Sequence, residues 1–466
     1  MAHPIEQETI VALATPPGTG SIAAIRVSGP RAWACVRELL RSEKSRETPA
    51  SHRVRLAWLY AANGDALDQV TLVRYQAPHS YTGEEVVEIF CHGGRLISNL
   101  IIEQLCVVGC RLAQPGEFTQ RALLNGKLDL IQTEAVADLI AAESPAYLQG
   151  ALAHLEGAFS RQLRALRERL VHTCALLELG LDFSEEDVEF ADRAQLQREL
   201  DDLDRMIVQL LEGFARGQAM KEGWRIAILG KPNVGKSSLM NALLRYERVI
   251  VSDIPGTTRD TIDERIFMNG LLFRLIDTAG IREHADAIEK IGIARSRVAA
   301  QNAEVILFVT DDSQDADAAD RRLAEECLAI AHQNSRVVVL HVRNKSDLPT
   351  AMQPFSFAEE QVRALHLSAL SSVGIDALEH AIAAAVLPLS HASGSEVQHI
   401  NLRQKLCLEK ARAALQCARS SLGKNLSAEF IAIDLREVIH QLGVLIGEVT
   451  TEDVLGEIFS KFCIGK

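Results

Sequence analysis

The residues best equipped for chemistry lie between positions 225 and 370. Gly230-Lys231-Pro232-Asn233-Val234-Gly235-Lys236-Ser237 fits the pattern GxxxxGK[ST]. Glycines there let backbone N–H groups close around phosphate oxygens, and a following helix N-terminus adds positive potential. Lys236 is placed to reach the β- and γ-phosphates of a nucleotide, and the Ser237 hydroxyl to ligate Mg²⁺. Asp277-Thr278-Ala279-Gly280 supplies a carboxylate for the Mg²⁺ shell and a glycine N–H for the γ-phosphate. Asn344-Lys345-Ser346-Asp347 decides the base. A carboxylate at Asp347 accepts from both N1–H and the 2-amino group of guanine, a donor pair that adenine lacks. Ser368-Ala369 fits a further loop on the guanine side. Gly256-Thr257-Thr258-Arg259-Asp260 reads as a switch segment, with Thr258 chosen over Thr257 to complete the Mg²⁺ shell. Many small GTPases place a glutamine directly after the DxxG motif to orient water. Here that position is Ile281, which cannot do so; Arg282, Glu283, His284 and Glu289 are the nearby candidates.

These motifs need elements to hold them. The run 225–229 predicts a strand before the phosphate loop, and 238–244 a helix after it, the context the motif requires. Apolar runs 271–276 and 337–340 predict strands before the other two motifs, so 224–385 reads as an alternating α/β domain. Residues 5–115 mix short strands and turns: 22–27 closed by Ser28-Gly29-Pro30, and 86–90 closed by Cys91-His92-Gly93-Gly94. From about 120 to 218 the period turns helical, through Leu163, Leu166, Leu170 and Cys174, then Leu196, Leu200, Leu203, Ile207 and Leu210. It resumes through Leu402, Leu406, Leu426, Leu435, Ile439, Leu442 and Ile446. The acidic stretch 182–187 reads as a solvated helix–helix connection. Two helical stretches flanking an α/β domain suggest one helical domain with an insertion.

Composition sets limits. The chain has 466 residues, 47% of them apolar, enough for several ordinary cores. No apolar run spans a membrane and the N-terminus lacks a signal-peptide pattern, which predicts a cytoplasmic protein without membrane contact. Nine cysteines without a CxxC pair argue against a zinc ribbon or a disulfide framework. The formal net charge is −13, so any nucleic-acid substrate needs a local basic patch or a partner to meet it.

The whole chain resembles the MnmE (TrmE) family of tRNA modification GTPases. Beyond the nucleotide motifs, Thr15-Pro16-Pro17-Gly18, Cys91-His92-Gly93-Gly94 and Pro115-Gly116-Glu117-Phe118 look like family landmarks. So do Asn125-Gly126-Lys127-Leu128-Asp129-Leu130 and Phe462-Cys463-Ile464-Gly465-Lys466. The resemblance implies an α+β N-terminal domain similar to folate-binding domains over 1–120, which also dimerises the protein. It implies an all-α domain in two parts, 121–220 and 386–466, and an inserted α/β P-loop GTPase domain over 221–385. The implied function is modification of tRNA wobble uridine at carbon 5. A (carboxymethyl)aminomethyl group would be installed, with a carbon from 5,10-methylene-tetrahydrofolate, in a heterotetramer with the FAD-dependent partner MnmG (GidA).

The resemblance also implies K⁺ held by Asn233, Ser252, Ile254 and Thr257, although the family often has Thr where this chain has Ser252. Glu289 matches the family's water-orienting glutamate, which answers the gap at Ile281. Arg26, Glu88, Lys127 and Lys466 match folate-contacting positions. Cys463 is either a buried structural thiol or one presented to the modification chemistry; Ile464-Gly465-Lys466 is unsuited to prenylation. The full candidate GTP-binding set is Asn233, Val234, Gly235, Lys236, Ser237, Ser238, Ser252, Asp253, Ile254, Pro255, Gly256, Thr257, Thr258, Asp277, Thr278, Ala279, Gly280, Asn344, Lys345, Ser346, Asp347, Ser368, Ala369 and Leu370. Two other readings compete. A ribosome-assembly GTPase of the Era or Der type would need a basic RNA-binding domain or a second P-loop, and neither pattern is present. The other is a GTP-switched scaffold without chemistry; folate binding would favour the modification role over both.

Overall fold

The computed structural model describes residues 8–182, 193–246, 264–276, 298–334, 336–357, 362–391, 400–424 and 426–449, with 455, 458, 459, 462 and 465. Two compact units emerge. One comprises Met1–Ile140, His154–Arg198 and Lys410–Lys466, the other Ala141–Ala153 and Glu199–Glu409.

The first unit contains a six-stranded sheet built from β1 Ile10–Leu13, β2 Ile22–Ser28, β3 Val54–Tyr60, β4 Ala66–Tyr75, β5 Val86–His92 and β6 Arg111–Leu112, in the order β3-β4-β5-β2-β1-β6. Alternation sorts its two faces. Ala23, Ile25 and Val27 of β2, with Val87, Ile89 and Cys91 of β5, are buried in one core with helices Ala32–Glu38 and Arg95–Val107. Arg26 and Glu88, one position on, belong to the other face. β5 runs through Cys91 and His92 instead of closing before them, because these residues pair with Ala23 and Ile22 of β2.

Helices Ala158–Asp182 and Ala428–Ile446 pack on each other in this unit, so helical segments from before and after the α/β insertion share one core. The predicted stripe Leu163, Leu166, Leu170 and Cys174 is buried. The Asp129 side chain and Gln132 cap each other at helix Leu130–Ala141, explaining the Asn125–Leu130 landmark as a turn at Gly126 followed by a cap. Pro115-Gly116 is a docking point: a Cβ on Gly116 would lie 2.9 Å from Phe459 Cδ1 and 3.0 Å from Phe462 Cβ.

The second unit holds a sheet built from β7 Trp224–Leu229, β8 Glu264–Met268, β9 Leu271–Leu275, β10 Val305–Asp311, β11 Val338–Asn344 and β12 Arg363–His366, in the order β12-β11-β10-β7-β9-β8. All neighbours are parallel except β8 and β9. Every residue of β10 is buried, as befits a parallel strand covered on both faces. Helix Leu402–Gly423 corrects the sequence reading. Leu402 and Leu406 are exposed, as is Leu426 beyond its end, while Cys407, Leu408, Ala411, Leu415, Ala418 and Leu422 are buried. Leu408, Leu415 and Leu422, seven residues apart, mark the buried face with Ala411 and Ala418 between them, so the stripe through Leu402 and Leu406 followed the wrong set of leucines. Among the described residues no helix is long and apolar enough to cross a membrane.

Candidate functional site

β7 is the strand at which the chain's order reverses, with β9 on one side and β10 on the other. Open α/β sheets bind ligands at the carboxyl ends of strands at such a point. The segment Gly230–Gly235 leaves β7 there and enters helix Lys236–Tyr246. Asn233 has φ 63 and Gly235 φ 95, both in the left-handed region. This turn aims successive N–H groups inward, the geometry of an anion cradle. Gly230 allows close passage, since a Cβ there would lie 2.3 Å from Val309 O. The Lys236 ammonium donates to Gly230 O at 2.9 Å and Lys231 O at 2.6 Å, so it sits over the loop where phosphate oxygens would be met. Lys231 anchors the loop from outside through Asp317 Oδ2 at 2.9 Å and Asp320 Oδ2 at 2.8 Å. Ser237 is partly exposed on the helix's first turn, and Ser238 follows it.

Asn344 is the brace of the base side. It ends β11, is 2% exposed, and donates from Nδ2 to Val234 O at 2.8 Å while its Oδ1 accepts from the Ala369 amide at 2.9 Å. One side chain thus ties the phosphate loop to the 368–370 loop. This also accounts for Gly235, where a Cβ would lie 2.2 Å from Asn344 Nδ2. Lys345 takes φ 65, and Asp347 is exposed beyond it. The Ser346 amide donates to Leu367 O at 3.1 Å, and Ser368 is buried while Leu370 is exposed. Of the predicted nucleotide residues, Asn233 to Ser238, Asn344 to Asp347 and Ser368 to Leu370 therefore converge on one rim. Ser252, Asp253, Ile254, Pro255, Gly256, Thr257, Thr258, Asp277, Thr278, Ala279, Gly280 and Glu289 lie outside the described residues, as do Cys463 and Lys466.

Three groups escaped the sequence reading. Asp311 ends β10 and Asp312 follows it, and Lys231 has carboxylate partners that its motif does not reveal. The signal for the first two was an apolar strand, Val305–Asp311, closing on an acidic pair at its carboxyl end. Of the residues predicted to hold Mg²⁺, a cation that keeps several waters and takes few protein ligands besides substrate phosphates, only Ser237 lies among the described residues; Thr258 and Asp277 do not. For K⁺, Asn233 is the one predicted ligand among the described residues.

In the first unit, Arg26 and Glu88 are directly opposed across β2 and β5. Arg26 Nε donates to Glu88 Oε1 at 3.0 Å, and the Tyr75 hydroxyl donates to Oε2 at 3.2 Å. The Arg26 guanidinium lies 5.1 Å from the Tyr81 ring centroid and 5.7 Å from that of Phe118. Lys127 is exposed and donates to Pro78 O at 3.2 Å, so it faces the same 75–84 segment. Burial, then the Glu88 charge, raises the Tyr75 pKa and keeps it a donor. A cleft of about 650 Å³ is lined by the 15–20 turn with Gly93, Arg95, Ser98 and Asn99. Gly465 abuts the start of that turn, since a Cβ there would lie 2.2 Å from Leu13 O.

A mostly parallel sheet with a phosphate loop after its switch-point strand defines the class: a P-loop nucleotide-binding domain, in a chain that also carries an α+β unit. Comparison with known proteins narrows this. Residues 9–127 match the family described as GTP-binding protein TrmE N-terminus, and 130–463 match the MnmE helical domain. A protein of Parabacteroides distasonis named tRNA modification GTPase MnmE is 43% identical over 465 residues, covering 98% of this chain and 100% of that one. A Moorella thermoacetica protein of the same name is 44% identical over 98% of this chain and 99% of its own length. The chain belongs to the MnmE family.

Proposed function

We propose that this chain hydrolyses GTP in the service of tRNA modification. The observation that carries the reading is the Asn344 brace, which joins the phosphate loop to both base-side loops, in a chain matched end to end by relatives named for that activity. The product would be a (carboxymethyl)aminomethyl group at carbon 5 of wobble uridine, its carbon drawn from a tetrahydrofolate and its installation shared with an FAD-dependent partner. The domains would run 1–120, 121–220, 221–385 and 386–466, with dimerisation through the first.

Asp347 would read guanine and Lys236 the β- and γ-phosphates. Ser237 and Thr258 would hold Mg²⁺, with Asp277 in its shell. Asn233, Ser252, Ile254 and Thr257 would hold K⁺, whose charge would stand where the transition state gathers negative charge. Glu289 would orient the attacking water. Arg26, Glu88, Lys127 and Lys466 would hold the folate, and Cys463 would present its thiol to the carbon-transfer chemistry. A second reading as a switching scaffold has no observation in its favour, since it leaves the paired Arg26 and Glu88 without a role.

The test is hydrolysis by the purified chain. GTP turnover should exceed ATP turnover, and should run faster in KCl than in NaCl at equal ionic strength. Equal turnover of the two nucleotides would overturn the reading, and equal rates in the two salts would remove K⁺ from it.

A further inference from the structure

Asp311 closes β10 directly opposite Asn344 in the parallel register. Its side chain is 4% exposed, yet it carries four donors. Oδ1 accepts from the Ser313 amide at 3.0 Å and the Ser313 hydroxyl at 2.6 Å. Oδ2 accepts from Gln314 Nε2 at 3.0 Å and from Lys345 Nζ at 2.6 Å. Burial alone would raise its pKa. The hydrogen bonds from Lys345 and Ser313 more than offset that and hold it below the usual carboxylate range, so it is ionised. Its neighbour Asp312 takes Arg343 at 2.6 Å and His366 at 3.2 Å, and so joins β11 to β12.

The geometry points to Asp311 as a positioning residue for guanine-nucleotide affinity, acting through Lys345. This rests on the proposed reading of residues 344–347 as the base-reading loop. Four donors fix the plane of the carboxylate, and a fixed carboxylate fixes the ammonium. Lys345 leaves the chain at φ 65, two residues before Asp347, so its direction is set at both ends. A lysine held this way presents its methylene stem as a flat apolar edge beside the base and its charge near the purine face. A free lysine loses rotamer freedom when it is immobilised, and one already tied loses little. Asp311 therefore sharpens binding without touching nucleotide.

The test is a double-mutant cycle on the full-length chain, read by titration with fluorescent GDP and GTP. Asp311→Asn keeps the shape and removes the charge. It should weaken both nucleotides about tenfold, with kcat at saturating GTP unchanged. In a Lys345→Met background the same change should alter Kd by less than about twofold, because its effect runs through the ammonium. A comparable loss in both backgrounds would make Asp311 a structural residue independent of Lys345, and no loss in the parent would remove it altogether; either overturns the inference. If Asp311→Asn melts below the assay temperature, Ser313→Ala replaces it. A loss of about two- to threefold is then expected, and it should again vanish in the Lys345→Met background. Asp347→Asn is the control: if that variant keeps the parent's preference for guanine, the reading of the loop fails, whatever the cycle gives.

Discussion

At the phosphate loop the chemistry is carried by consecutive backbone groups, with Asn233 and Gly235 at left-handed φ and Lys236 folded over them. On the N-terminal sheet the proposed folate site would be carried by side chains 62 residues apart, Arg26 and Glu88, that meet only because β2 and β5 pair in that register. The first arrangement depends on backbone conformation, so a single Cβ can destroy it. The second depends on charge and packing, so it should weaken by degrees.

The largest effect is expected at Gly235. Alanine there must adopt φ 95 and place a methyl 2.2 Å from Asn344 Nδ2, the atom that braces Val234. Strain and overpacking together are worth several kcal/mol, so nucleotide titration should show about a hundredfold loss of GTP affinity. Unaltered affinity would mean that the brace is not needed for binding. Asp347→Asn comes next. Losing a charged acceptor pair should shift preference from guanine towards xanthine nucleotides by about thirtyfold in competition binding.

Glu88→Gln belongs to the other region and should be milder. Arg26 keeps its two rings and Tyr75 keeps an acceptor, so calorimetry with a reduced folate should show a loss of about fivefold. A loss as steep as that at Gly235 would erase the contrast between the regions.

The smallest effect separates stability from function. His341 is buried, with Nε2 2.8 Å from Thr310 Oγ1. Burial, then the Arg343 charge, lowers its pKa from 6.5 to about 4. The unfolded chain therefore binds this proton more readily between those values. The stability His341 contributes is present above pH 6.5 and lost as pH falls towards 4. His341→Gln should flatten the acid limb of a melting curve by about 2–4 °C relative to the parent, with GTP turnover at neutral pH unchanged. Parallel limbs in the two proteins would show that His341 is protonated without cost.

The same contrast explains what could be read beforehand. The strands feeding GKPNVGKS and NKSD, and the helix after the first, were legible because each is one contiguous run. The helical stripe through Leu163, Leu166, Leu170 and Cys174 was legible for the same reason. The helix Leu402–Gly423 misled because it carries leucines on both faces, Leu402 and Leu406 exposed and Leu408, Leu415 and Leu422 buried. Asp311 escaped because its role exists only when β10 and β11 lie side by side in register. Arg26, Glu88 and Lys127 lie in no contiguous motif and were singled out only by the family resemblance, and the sheet places two of them in contact.

The central claim is that this GTPase serves wobble-uridine modification, and nucleoside analysis of tRNA reaches it most directly. Cells lacking the chain should lose the (carboxymethyl)aminomethyl uridine. The parent gene should restore it, whereas Gly235→Ala should not. Wobble uridines that remain fully modified in the absence of the chain would contradict the account.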